Sequence, residues 1–337
     1  MEGAAGGPKH PDVVVSVVNH CTRDLVVAAV DSVKRHPPSR HSYEIAVLDN
    51  ASDDGSVEAL AAGHPEVRLI AASERRGFGA NHNAVAAATE STYLFVFNPD
   101  AEVVAGTLDL LLDHLDEHDE VAAVAPALVS PDGRPQENAW RLPSIPGVLM
   151  GALTLGRYSP SVSHRRTAGS VGWVSSCAIL IRRTSFERIG GFDERYFMYA
   201  EDMDLCRRLR DAALDVHYVP AARVVHRGQQ ATAADPERRL VEQLRSIRLY
   251  RRLHQGAAVR AIAWPSLAVG ILAKALLGEV LYRLPPPLRP KTDVRRPEPL
   301  WRALRLFRDD GSRPGLRELA AEWNAAHRDT APRSAGL

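Results

Sequence analysis

From Tyr93 the chain runs Tyr-Leu-Phe-Val-Phe-Asn98-Pro99-Asp100-Ala-Glu-Val103, and no other stretch constrains the architecture as much. Tyr93 to Phe97 is an unbroken apolar run, as expected of a strand buried on both faces of a parallel sheet. Pro99 has no N–H for a ladder and turns Asn98 away from helical backbone, so the strand ends there. That leaves Asp100 at the carboxyl end of a central strand, where open α/β sheets bind ligands. Two readings of Asp100 stay open on this stretch alone: a ligand for a divalent cation facing a nucleotide diphosphate, or a turn cap.

Upstream, the pattern alternates. Asp12–Val18 reads as a first strand, and a helix comes after it with Thr22 as N-cap and Leu25, Val26, Ala29, Val30 and Val33 on its apolar side. Tyr43–Leu48 is a second strand. It runs into Asp49-Asn50-Ala51-Ser52-Asp53-Asp54-Gly55-Ser56, a loop that opens a helix near Val57. Val67–Ala71 is a third strand, and Gly77-Phe78-Gly79 starts an Ala-rich helix reaching about Thr89. Strand and helix in turn predict an α/β fold with a doubly wound, nucleotide-binding sheet. Further on, the spacing predicts a helix over Thr107–His118 and strands at Val121–Ala125 and Val171–Ile181. Ser130-Pro131-Asp132-Gly133 is a turn between antiparallel strands, so the sheet is mixed. Ser144–Thr167 reads as a loop-rich insertion, and Thr184–Ile189 as a short helix.

At 337 residues there is room for one large domain and an appendage. Lys+Arg 42 against Asp+Glu 41 leaves no overall field, which gives nucleic-acid binding no support. The three cysteines lack metal-type spacing and read as reduced thiols, and Met1–Pro11, a flexible start, lacks the apolar segment of a signal peptide.

A third acidic loop, Gly190-Gly191-Phe192-Asp193-Glu194 and then Tyr199-Ala200-Glu201-Asp202-Met203-Asp204-Leu205-Cys206, completes the pattern. With Asp49–Ser56, Gly77-Phe78-Gly79, Asn83 and Asn98-Pro99-Asp100, it makes the chain from about Val13 to Gly228 resemble family-2 glycosyltransferases of the GT-A fold. The resemblance is strongest to rhamnosyltransferase-like members that build bacterial cell-surface glycans.

The resemblance implies a nucleotide-sugar half (12–105) and an acceptor half (106–230). In the first it puts Asp49 and Asp53 against base and ribose, Arg76 near the diphosphate, Gly77 at a close backbone approach, and Asn83 and Asn98 beside the nucleotide sugar. It makes Asp100 the last acid of the metal motif. Asn98 stands where many relatives carry a further Asp, so Mg²⁺ or Mn²⁺ would take other ligands from substrate phosphates and from His226. It makes Asp202 the catalytic base of an inverting transfer, with Glu201, Asp204 and Trp173 on the acceptor side. The implied partners are a dTDP- or UDP-sugar and a glycan or lipid-linked acceptor, at the cytosolic face.

Two rival readings compete with this one: a non-catalytic nucleotide-sugar or membrane-binding module, and a sugar nucleotidyltransferase. The second usually needs a Gly-rich, basic phosphate loop after the first strand, and Asn19-His20-Cys21-Thr22 is not one.

Beyond Gly228 the resemblance fades. From Glu237 to Arg283 nine Lys/Arg face three Glu, in a basic helix over Pro236–His254 and an apolar one over Ala257–Leu284. These helices either lie on an anionic bilayer or rest on the catalytic domain. The Pro/Arg-rich tail from Pro285 holds one amphipathic helix, about Gly315–His327, and is expected to end disordered.

Overall fold

The structure is a computed structural model and describes residues 10–144, 146–147, 150, 160–228, 236–283, 301, 304 and 314–327. The expectations for the start of the chain, half of the 144–167 insertion and most of the Pro/Arg-rich tail lie outside these residues.

The strands are β1 Val13–Asn19, β2 Tyr43–Asp49, β3 Arg68–Ala71, β4 Tyr93–Phe97, β5 Ala101–Val103, β6 Val121–Val129, β7 Pro135–Gln136, β8 Ala139–Trp140, β9 Gly169–Ser170, β10 Trp173–Val174, β11 Ala178–Arg182 and β12 Asp215–His226. The helices are α1 Arg23–Arg35, α2 Ser56–Gly63, α3 Phe78–Ala88, α4 Thr107–Glu117, α5 Arg183–Arg188, α6 Glu201–Asp211, α7 Pro236–His254, α8 Ala257–Arg283 and α9 Leu316–Ala326. The main sheet has the order β3-β2-β1-β4-β11-β6-β12-β5. β1 pairs parallel to both β2 and β4, whereas β11 pairs antiparallel to β4, so the sheet is mixed, as the turn at Ser130–Gly133 implied. The chain moves outward from β1 to β3 and then returns through α3 to place β4 on the other side of β1. That reversal opens a crevice at the carboxyl ends of β1 and β4.

Period-two alternation explains why these strands are apolar on both faces. Val13, Val15, Val17, Tyr93, Phe95 and Phe97 enter one core with α1, α2 and α4. Val14, Leu94, Val96, Ile179 and Ile181 enter the other, against α3, α5 and α6. Phe95 and Phe97 are fully buried, each contributing roughly 1.5–3 kcal/mol of transfer free energy.

Two local expectations need correcting. Thr22 is the α1 N-cap by position, but its hydroxyl turns back to Asn19 Oδ1 (2.6 Å) and Asp54 Oδ2 accepts from the Arg23 N–H instead (2.9 Å). Val171–Ile181 is not one strand. Trp173–Val174 pairs with Ala139–Trp140 in a separate ribbon, and only Ala178–Arg182 enters the main sheet. Since β11 runs antiparallel to β4, Ala178 meets Phe97 at the crevice rim, and the residues before it must cross that rim.

Candidate active site

Strand pairing brings the first two candidate residues together. His226 ends β12 opposite Ala101 of β5, and the Arg227 N–H donates to Asp100 O (2.9 Å). His226 Nε2 then lies 3.5 Å from Asp100 Oδ1, although 125 residues separate Glu102 from its partner Arg227 in the same hairpin-like contact. The Gln136 amide grips His226 twice: its Oε1 accepts from Nδ1 and its Nε2 donates to the His226 carbonyl, both at 2.8 Å. With Nδ1 donating, a neutral ring turns an unprotonated Nε2 towards Asp100. Asn98, two residues before Asp100, lines the same cavity, and its Oδ1 is buried without a hydrogen-bond partner among the described residues.

Two oxygens with one imidazole nitrogen are an acceptable donor set for a divalent cation such as Mn²⁺, and an unpartnered buried carbonyl oxygen is the feature an ion would satisfy. The residues fit such an ion. Among the described residues no three His, Cys, Asp or Glu side chains form a complete ligand set, so a cation here would need ligand oxygens from a bound phosphate.

Asp202 stands in the first turn of α6. The two residues before that helix, Tyr199 (φ 71°) and Ala200 (φ 63°), are both in the left-handed region without being glycine. Such backbone is held only where the surroundings impose it. The Met203 N–H donates to Asp202 Oδ1 (2.8 Å). Burial pushes the Asp202 carboxyl up to about 6, against the pull of the Met203 and Ser176 N–H groups. Burial, then the Asp202 charge, holds Glu201 well above the carboxylate range, and Glu201 Oε2 has no hydrogen-bond partner among the described residues.

Asn98, Asp100, His226, Glu201 and Asp202 all line one cavity of about 850 Å³ at the crevice. Arg75, Arg76 and Asn50 line it from the β2 and β3 ends, and Ser175–Cys177 from the rim crossing. Asn50 holds the Arg76 backbone in both directions (2.8 and 3.1 Å). Trp173 reaches the wall with its ring stacked on Trp140, centroids 4.1 Å apart.

The remaining candidates are placed differently. Asp49 is buried behind the wall, accepting from Asn19 Nδ2 (2.7 Å) and the Ser52 N–H (2.9 Å). Asp53 is exposed, 4.0 Å from Arg75. Gly77 is needed for a close approach, but to protein: a Cβ there would sit 2.6 Å from Phe197 O. Asn83 does not face the cavity. Its amide closes on Phe192 N–H and O (both 2.9 Å) and Glu194 (3.0 Å), tying α3 to the Gly-Gly-Phe turn. Asp204 is not an acceptor contact either. It is fully buried between Arg208 Nε (2.7 Å) and His254 Nε2 (2.6 Å), anchoring α7 to α6.

Sequence reasoning missed the helical wall. Arg239, Gln243, Ile247, Tyr250 and Arg251 of α7, with Leu316, Leu319 and Ala320 of α9, complete the cavity. Asn324 binds the Arg75 backbone through both amide atoms (2.7 and 3.1 Å), and the Arg75 guanidinium lies 4.1 Å over the Trp323 ring. Gln136 was missed as well; its signal is only a Gln in a hairpin arm beside the β12 end.

Residues 12–190 match the model of glycosyl transferase family 2, and residues 164–229 match that described as the N-terminal domain of galactosyltransferase. An N-acetylglucosaminyl-diphospho-decaprenol L-rhamnosyltransferase of Mycobacterium tuberculosis is 33% identical over 226 residues, covering 61% of this chain and 73% of that protein. Rhamnosyltransferase WbbL of Escherichia coli (strain K12) is 48% identical over 56 residues, 17% of this chain and 21% of its own. Among solved structures, the mannosyltransferase PcManGT from Pyrobaculum calidifontis, in complex with GDP-Man and Mn²⁺, superposes with a TM-score of 0.56 at 18% identity. That match covers 94% of this chain and 87% of the other, and the likeness is one of fold. The chain belongs to glycosyl transferase family 2 and is a rhamnosyltransferase-like glycosyltransferase of GT-A fold.

Proposed function

We propose that the protein moves a deoxyhexose, L-rhamnose from dTDP-rhamnose in the first instance, onto a sugar carried by a polyprenyl diphosphate, with inversion at the transferred carbon. The observation that supports this most is the convergence of Asp100 and His226 with Asp202 on one cavity at the sheet's switch point. The acceptor hydroxyl oxygen attacks the anomeric carbon and its proton passes to an Asp202 carboxylate oxygen. The bond from that carbon to the diphosphate oxygen breaks, and the nucleoside diphosphate leaves with the electron pair. Asp100, His226 and Asn98 would hold Mg²⁺ or Mn²⁺, which when bound offsets the charge growing on the leaving phosphate. Arg75 and Arg76 supply further positive charge, Asn50 fixes the Arg76 backbone, and the Trp173 face suits the apolar side of a sugar ring. The chemistry of a lipid-linked acceptor is carried over from the mycobacterial relative's name.

The test is transfer by the purified protein from dTDP-rhamnose, with UDP- and GDP-sugars as controls, to a short-chain prenyl-diphospho-GlcNAc with Mn²⁺ or Mg²⁺. The anomeric configuration of the product is read by NMR. A product of retained configuration, or no product with any of these donors, would sink the reading.

A lipid-linked acceptor also gives a role to α8. Among the described residues no helix is long and apolar enough to cross a membrane. Yet Val269 (60% exposed), Leu272, Leu276 and Val280 (61%) form an outward apolar stripe, while Ile271 and Ala268 rest on α7. We place that stripe on an anionic bilayer surface. Leu276→Glu combined with Val280→Glu should abolish co-sedimentation with phosphatidylglycerol vesicles and leave transfer to a soluble acceptor unchanged.

A further inference from the structure

Helix α7 lies beyond both matched spans, yet it faces the acid that the mechanism uses. Arg239, Gln243, Ile247 and Arg251 line the cavity at steps of four residues, and Gln255 continues the series just past the helix end. Such a series is one side-chain ridge, inclined to the helix axis. Beside the ridge, Val241 and Leu244 are buried against α8 and fix how α7 is turned.

Three contacts decide which substrate the ridge faces. Ser246 Oγ donates to Met198 O (2.9 Å), Tyr250 is buried against Tyr196 and Met203, and His254 binds Asp204 (2.6 Å). All three lie on the segment that carries Glu201 and Asp202, which lines the cavity together with the ridge. Burial pulls the Arg251 guanidinium below its ordinary value. Twelve residues of helix separate Arg251 from Arg239, about 18 Å of rise, so they meet two points of an extended ligand.

We propose that the Arg239–Gln243–Ile247–Arg251 ridge is the acceptor track, and that it selects an extended, anionic acceptor: a sugar whose aglycone begins with a phosphate or diphosphate. Gln243 suits sugar hydroxyls or phosphate oxygens, and Ile247 with Leu316 and Leu319 offers apolar surface to the aglycone beyond the phosphate. This rests on the transferase reading only in taking the Asp202 side of the cavity as the acceptor's.

The test is direct binding, so it does not depend on turnover. Full-length protein and its Arg239→Ala, Arg251→Ala and Arg251→Lys variants are titrated calorimetrically with citronellyl-diphospho-GlcNAc, with octyl β-GlcNAc and with dTDP. Each alanine variant should weaken the diphosphate ligand about tenfold or more, as expected for a charge-assisted contact, while octyl β-GlcNAc and dTDP affinities stay within about twofold. Arg251→Lys should recover part of the loss. Equal weakening of dTDP would assign the arginines to the donor and overturn the proposal. So would unchanged binding of the diphosphate ligand, or a wild-type protein that does not bind it. Normal ridge-dependent binding without transfer from any donor would leave this inference standing and defeat the proposed reaction.

Discussion

The two walls of the cavity are made by different means. One is a row of loop residues delivered by strand ends: Asn50 after β2, Asn98 and Asp100 after β4, His226 at the end of β12. The other is a set of side chains on α7 and α9, helices outside the spans that match the family. In the first wall the backbone itself carries the groups to their place, because parallel strands end in register on one edge. In the second, helices are docked by contacts such as His254–Asp204 and Asn324–Arg75, which turn their lining residues to the cavity. The contrast suggests that chemistry resides in the strand-end wall and the adjoining α6 turn, while selectivity resides in the helical one.

The sharpest way to break that division is Asp202→Asn. It should lower kcat by about 10²–10⁴-fold and leave dTDP affinity within about twofold, measured by initial rates and titration. A loss of affinity in place of rate would merge the two walls into one binding surface. Next, Asp100→Ala should lower dTDP-sugar affinity in Mn²⁺ by about 10²-fold, and Gln136→Ala should lower Mn²⁺ affinity by roughly 10–100-fold through the freed His226 ring. Chelation by EDTA should erase the difference between wild type and either variant in a donor titration.

The pH response sharpens the role of Asp202. A base must be deprotonated to act, so kcat should rise through about pH 6 and flatten above it. Stability moves the other way. The folded-state value lies above the ordinary 3.8, so the folded chain holds an extra proton between 3.8 and about 6. Stability therefore falls as pH rises through that window. At about pH 7.5 Asp202→Asn should raise Tm by a few degrees, ~2–4 °C, read by calorimetry. The smallest effect expected is on the helical wall's far end. Trp323→Ala removes the face under Arg75 and should weaken dTDP binding a few-fold, ~0.5–1 kcal/mol, with kcat unchanged. No change would reduce α9 to a passive cover.

Apolar runs with period-two burial, turn residues after each strand and a helix between strands are local signals. The amino-acid order therefore determined the doubly wound half and placed α7, Pro236–His254, to the residue. It also put Asn98, Asp100, Asp202 and His226 at ends of elements, where a sheet of this kind exposes them. It failed at Asn83 and Asp204, whose types suit substrate contact equally well but whose side chains are consumed by Phe192, Arg208 and His254. It was silent on Gln136, Arg239 and Arg251, since a polar residue in a hairpin arm or on a basic helix has no motif around it. Only the tertiary structure decides such cases. Partner choice among polar groups depends on which surfaces meet, and which surfaces meet is settled by long-range burial between segments far apart in the chain.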